Sequence, residues 1–213
     1  MHTNRQHQKS IGEYYNAEAP LYAEKYHNEL DNKPYDRYIL SRFSDYMPPA
    51  GTICEIGCGP GQVSGYLRKK ENTRILGLDL SLHMLYEAKK LHHFDLTVNG
   101  DYFSLPFRDE ALDGILAFYS IVHDETTEIE ELLQEIKRVL KRNGKFLFSF
   151  HTGNERICTS NKNKSIEYIF HDTEQVYEYI IDSEFLILEG VVRLPYPDAE
   201  FPSKRAYFLL EKD

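Results

Sequence analysis

The chain has no tryptophan, only three cysteines and three methionines in 213 residues, and no surplus of positive charge. Each shortage removes a class of answers. Cys54, Cys58 and Cys158 are joined by no further cysteine or histidine pair at zinc spacing, so no metal site is expected. The first nine residues are polar and lack the apolar stretch of a secretory signal. With so few thiols, this points to a reducing, cytoplasmic setting. No apolar run approaches the roughly 18 residues that span a bilayer, so no membrane role is expected. The formal charge of −9 argues against an extended nucleic-acid surface. What remains is a chain long enough for one well-buried domain and little more.

Tyrosine, in contrast, is plentiful, with 16 residues, seven of them between Ser10 and Tyr46. That stretch has a helical pattern, and Pro20 and Pro34 are expected to divide it, because proline suits the first turn of a helix better than its interior. Pro48-Pro49-Ala50-Gly51 then breaks the chain. Beyond it strand and helix alternate. Strands are expected near 52–57, 74–79, 94–98, 112–118 and 145–150, and helices near 61–70, 81–91 and 126–141. The last helix places Ile129, Leu132, Leu133, Ile136 and Val139 on one face, with acids at its start and bases at its end. Asn143-Gly144 is expected to stop it, with the glycine left-handed. Residues 151–165 read as loop, a helix starts at Asp172, and segments 184–194 and 205–211 are extended.

The segment Ile53-Cys54-Glu55-Ile56-Gly57-Cys58-Gly59-Pro60-Gly61 carries the chemistry. A buried strand runs into a loop with glycine at every second position. A second strand then ends at Asp79, about 20 residues on, the spacing of a βαβ nucleotide site. A dinucleotide site needs its third glycine one residue later than Gly61, where Gln62 stands. Glu55 would also repel a pyrophosphate. A cationic adenosine compound suits the site better.

The run from Glu55 to Gly61 resembles the E/D-x-G-x-G-x-G signature of class I S-adenosylmethionine-dependent methyltransferases, of the type 11/25 domain group. The resemblance extends from about residue 50 to the end of the chain. It implies an α/β fold: a Rossmann-like three-layer sandwich whose seven-stranded, mostly parallel sheet has an antiparallel last strand. Residues 1–48 would form an N-terminal helical cap or lid on a core of residues 49–213. The implied cofactor is S-adenosylmethionine, without a metal.

Several residue roles follow from the resemblance. Gly57, Cys58, Gly59 and Gly61 would let the backbone approach the cofactor, and Glu55 would hold its amino-acid end, directly or through water or backbone amides. Asp79 would accept from the ribose hydroxyls, and Leu80 and Met84 would pack on the adenine. Asp101 and Tyr102 match the motif that addresses the adenine edge. Phe118 to His123, after the fourth strand, would face the transferable methyl group. His123 and, past the fifth strand, His151 are candidate bases, although His123 is equally read as a packing residue. Tyr14 and Tyr22 are candidates to close over the sulfonium through a cation–π contact. The expected activity is methyl transfer to oxygen or nitrogen of a small molecule, by a monomer or homodimer. The alternative is a catalytically silent cofactor-binding protein of the same fold.

Overall fold

The computed structural model of the protein describes residues 2–68, 74–92, 96–161 and 164–213, with side chains from Gln6 onward. Its centre is a seven-stranded sheet. β1 (Thr52–Ile56), β2 (Arg74–Asp79), β3 (Thr97–Asn99), β4 (Leu112–Phe118) and β5 (Leu140–Thr152) run parallel. β8 (Phe185–Arg193) and β9 (Lys204–Lys212) complete it in the order β3-β2-β1-β4-β5-β9-β8. β9 is antiparallel to both its neighbours. The strand order reverses between β1 and β4, and a parallel sheet opens its ligand crevice at that point.

Alternation along the strands assigns the two faces. Cys54, Ile56, Phe146, Phe148, Phe150 and Phe208 pack with α5 (Ile129–Val139) and α6 (Thr173–Asp182). Ile53, Leu116, Leu147, Tyr207 and Leu209 pack with α2 (Pro34–Asp45), α3 (Gln62–Arg68) and the last turns of α4 (Leu82–His92). Layers of helix, sheet and helix result, the expected sandwich. β1 is buried almost throughout because helices cover both of its faces.

The N-terminal segment differs from expectation. Pro34 does start α2, but Pro20 lies inside α1 (His2–Tyr26). An interior proline costs about 3 kcal/mol. Here Ala19 and Ala23, both buried, let α1 lie closely along α4, and that packing outweighs the lost hydrogen bond. The two helices also take different parts. Ile39, Leu40 and Phe43 of α2 are fully buried in the sheet's own core. α1 instead lies over the strand ends, where Ile11 and Tyr14 pack on Ile166.

Three further expectations are corrected. Residues 151–165 are not a loop: the chain continues in β5 to Thr152 and then forms a hairpin of β6 (Arg156–Ser160) and β7 (Ser165–Ile169). α5 ends at Val139 and β5 begins at Leu140, ahead of the expected stop. The left-handed residue is Asn143 (φ +58°), not Gly144. Gly144 serves closeness instead, since a Cβ there would meet the Lys141 carbonyl oxygen at 2.8 Å. The strand expected at 94–98 is seen as Thr97–Asn99, with 94 and 95 outside the described residues, as are 69 and 70 at the end of the expected 61–70 helix. Among the described residues no helix is long and apolar enough to cross a membrane.

Candidate active site

The loop after β1 turns on positive backbone angles at Gly57 (+62°), Gly59 (+53°) and Gly61 (+81°). The first two glycines serve different ends. A Cβ on Gly57 would lie 2.4 Å from Cβ of Ser120, so glycine is required for the loop to sit against the end of β4. A Cβ on Gly59 would meet nothing within 4 Å and would project into open space. The loop is pinned by Cys58 N donating to the Leu78 carbonyl at 3.0 Å.

Asp79 ties this loop to the next helix. Its Oδ2 accepts from Gly59 N at 2.8 Å and its Oδ1 from Ser81 N at 2.7 Å. Ser81 caps α4 by accepting from Met84 N at 3.1 Å. Burial pushes the Asp79 carboxyl up to about 6 despite these two donors. Glu55 lies deeper, with Oε2 accepting from both the backbone and the hydroxyl of Ser64 at the start of α3. Burial drives it up to about 8. Both carboxyls stand where a positive ligand would restore their ionised forms.

Above the loop lies one crevice with two lobes, which share Tyr15, Tyr22, Gly57, Gly59, Tyr119 and Val122 as walls. The first, about 580 Å³ of empty space, is bounded by Asp79, Leu80, Met84, Tyr102, Ser120 and His123. The second, about 890 Å³, reaches Glu55, Cys58, Phe118, His151 and Arg205. Of the expected site residues, three do not line either lobe. Gly61 serves the turn into α3, whose first helical bond runs from Gly65 N to its carbonyl. Asp101 closes an Asx turn, accepting from Phe103 N at 2.9 Å. Tyr14 packs with Ile11 and Ile166, and its neighbour Tyr15 takes the wall position expected of it.

His123 is committed on both ring nitrogens. Nδ1 lies 2.5 Å from the Glu167 carbonyl, and Nε2 lies 2.7 Å from the Tyr15 hydroxyl. Burial pulls it down to about 4, so at neutral pH it donates from Nδ1 and accepts at Nε2. The Tyr15 hydroxyl also lies 3.1 Å from that of Tyr168 on β7. These contacts latch α1 and the hairpin over the crevice. Alongside, Gln8 donates to Asp124, whose other oxygen accepts from Tyr102 at 2.5 Å.

The crevice also holds residues that sequence reasoning missed: Tyr15, Glu29, Lys33, Tyr168 and Arg205. Tyr119 has a left-handed backbone (φ +54°), rare for an aromatic residue. Its hydroxyl lies 2.5 Å from that of Tyr207, which in turn donates to Asp36 at 2.7 Å. A period-two pattern in Ile166-Glu167-Tyr168-Ile169 was the available signal for Tyr168. None marked Glu29, Lys33 or Arg205.

The residues fit S-adenosylmethionine. Gly59 leaves a cradle that any Cβ would fill. Gln62 Oε1 and Ser120 Oγ, one beside each lobe, are buried without a partner among the described residues. Among the described residues no group of three or more His, Cys, Asp or Glu side chains is arranged to hold a metal ion.

Comparison with known proteins agrees with this geometry. Residues 54–148 match a methyltransferase domain model. The carboxy-S-adenosyl-L-methionine synthase of Nautilia profundicola is 30% identical over 194 residues, 85% of this chain and 74% of that protein. The malonyl-[acyl-carrier protein] O-methyltransferase of Erwinia billingiae is 35% identical over 97 residues, 46% of this chain. The chain spans only 38% of that protein's length. The 1,6-didemethyltoxoflavin-N1-methyltransferase of Burkholderia thailandensis, solved with S-adenosylhomocysteine bound, shares the fold. Its TM-score is 0.72 at 16% identity, covering 99% of this chain and 89% of that one.

Proposed function

This chain belongs to the class I S-adenosylmethionine-dependent methyltransferases, and from that premise we propose that it methylates a small molecule at oxygen or nitrogen. The observation that carries the reading is the second lobe. It shares six wall residues with the first lobe, takes the cofactor's amino-acid end beside Lys33 and Gln62, and leaves an aromatic-walled remainder for the acceptor.

Bound S-adenosylmethionine supplies a methyl carbon activated by its sulfonium. The protein's task is then alignment and exclusion of water. Gly57 and Gly59 would let the backbone approach the cofactor, Asp79 would accept from its ribose hydroxyls, and Leu80, Met84 and Tyr102 would surround its base. Gln62 Oε1 is a free acceptor for its ammonium, and Lys33, paired with Glu29 at 2.5 Å, is a partner for its carboxylate. α1 acts as the lid, with Tyr15 and Tyr22 as its contact rings. His123, neutral and engaged at both nitrogens, positions Tyr15 and does not serve as the base. We place the protein in the cytoplasm, as a monomer or homodimer.

A second reading has one observation in its favour. The relative matching 85% of this chain is named as a synthase of a modified S-adenosylmethionine. One experiment separates the readings: purified protein is incubated with S-adenosylmethionine and a panel of small hydroxyl and amine compounds, together with small carboxylic acids able to act as carboxyl donors, and products are read by mass. A methylated acceptor with S-adenosylhomocysteine supports methyl transfer. A mass change on the cofactor alone supports the second reading, and binding without any product supports a silent binder.

A further inference from the structure

His151 and Arg205 face each other across neighbouring strands, as register partners on β5 and β9. Residues so paired stand about 5 Å apart on one face of a sheet, and both line the second lobe. The imidazole is held in place. It stacks on Phe170, with ring centres 5.2 Å apart at 21°, and its Nδ1 lies 2.6 Å from Ser203 Oγ. The Ser203 hydroxyl is free to donate to Nδ1, which puts the ring's proton on Nε2, an atom with no hydrogen-bond partner among the described residues.

Arg205 is only 3% exposed. Its Nε lies 3.2 Å from Glu200 Oε1, and Nη1 donates to the carbonyls of Phe201, at 2.9 Å, and Ser203. Nη2 donates to nothing among the described residues. Glu200 is shared with Arg193, which grips both of its oxygens at 2.7 Å and also donates to Asp36 at 2.8 Å. The charges therefore alternate along Asp36, Arg193, Glu200 and Arg205 and sum to zero, with Arg205 at the cavity end. The lobe's other acids are engaged elsewhere. Glu29 is bound to Lys33 and Gln62, and Glu55 to Ser64.

We infer that the acceptor carries a single carboxylate, bound by Arg205 Nη2 and His151 Nε2, with a planar apolar body between Phe118, Tyr119, Tyr168 and Phe201. This rests on the methyltransferase reading and names its substrate class. A guanidinium N–H on one side and a neutral imidazole N–H on the other give each oxygen of a carboxylate a donor, one of them charge-assisted. The buried network is neutral, so it accepts one negative charge more readily than the two of a phosphate monoester. The anion is an anchor, and no bond to it changes.

The test needs no knowledge of the true acceptor. Protein is first titrated calorimetrically with S-adenosylhomocysteine; no binding at this step would overturn the underlying reading. The loaded protein is then titrated with benzoate, benzamide and phenyl phosphate, followed by ligand-observed NMR. Benzoate should bind roughly tenfold tighter than either comparator. His151→Leu and Arg205→Gln should each remove most of that preference while leaving S-adenosylhomocysteine affinity within about twofold. If Arg205→Gln does not fold, the wild-type ranking and His151→Leu still decide. Equal affinity for benzoate and benzamide, no benzoate binding, or a preference that survives His151→Leu would overturn the inference. A ranking led by phenyl phosphate would overturn the choice of a monoanion.

Discussion

The first lobe takes most of its walls from short segments at the ends of parallel strands (Gly57 and Gly59 after β1, Asp79 to Met84 at the end of β2, Ser120 to His123 after β4), with α1 closing it through Ile11, Tyr15 and Tyr22. The second draws on Glu29 and Lys33, His151, Tyr168 and Arg205, which come from four separate places in the chain. The first is built mainly from local geometry, the second mainly from tertiary assembly. A cofactor bound largely by backbone and by strand-end carboxylates needs only a fixed spacing. An acceptor bound by side chains needs several distant elements to meet, and that half of the site can change while the first stays put.

The largest expected effect breaks the tertiary half alone. Asp36 is fully buried, and its Oδ1 holds both Arg193 and Tyr207. Asp36→Ala should cost about 3 kcal/mol, because it leaves buried donors short of their acceptor. For a chain of this length that lowers Tm by roughly 6 to 12 °C. Calorimetric melting checks it, and S-adenosylhomocysteine affinity below the new Tm should be nearly intact.

The local half should break at its glycines, in two different ways. Gly57→Val collides with Ser120 and should abolish cofactor binding together with some stability. Gly59→Ala has room for its methyl group and bears a left-handed cost of about 1 kcal/mol. It should therefore fold yet bind S-adenosylhomocysteine on the order of 100-fold more weakly, a ΔΔG near 3 kcal/mol. Equal affinity losses with equal Tm losses in the two variants would remove the distinction drawn between these positions.

Asp79→Asn should weaken S-adenosylhomocysteine binding by roughly 10- to 100-fold, the loss of one or two charge-assisted hydrogen bonds. The pH dependence carries a definite sign. The Asp79 carboxyl is raised to about 6 from its ordinary 3.8, so it is protonated at a higher pH than a free aspartate. Only the ionised form accepts from both hydroxyls, so affinity should fall as pH drops through about 6. In the empty protein the same raised value works the other way, and folding stability declines as pH rises from about 4 to about 6. Asp79→Asn should flatten the affinity slope and reduce the stability slope between about pH 4 and 6, leaving the decline that Glu55 and Asp124 add at higher pH, as titrations and melts across pH 4 to 8 would reveal.

The smallest effect concerns the contact between the two halves. Tyr15→Phe removes the hydroxyl that meets His123 and Tyr168, worth about 1 kcal/mol. Cofactor affinity should weaken about fivefold with little change in Tm. Amide hydrogen exchange in α1 should accelerate more than in α2, whose side chains are buried in the sheet's core.

Legibility in the sequence followed the same division. β1, β2, β4 and the β8–β9 pair lay where apolar runs placed them; β1, β4 and β9, covered on both faces, have little latitude in composition. The β6–β7 hairpin was missed because Arg156-Ile-Cys-Thr-Ser alternates between exposed and half-buried positions, with no continuous apolar face. Pro20 misled because packing of α1 on α4 overrides a local preference. Tyr14 and Tyr15 are adjacent and chemically identical, and only the rotation of α1 against Ile166 and His123 selects which one meets the crevice.

By itself, then, the sequence determined the family, the sheet and the cofactor: glycine spacing and strand-end acids act through backbone geometry within a few tens of residues. The tertiary structure decided the rest. It made His123 a neutral latch through burial and two fixed partners. It also turned His151 and Arg205, 54 positions apart by residue number, into one facing pair. Register across an antiparallel ladder and desolvation in a shared cavity exist only once the chain has folded.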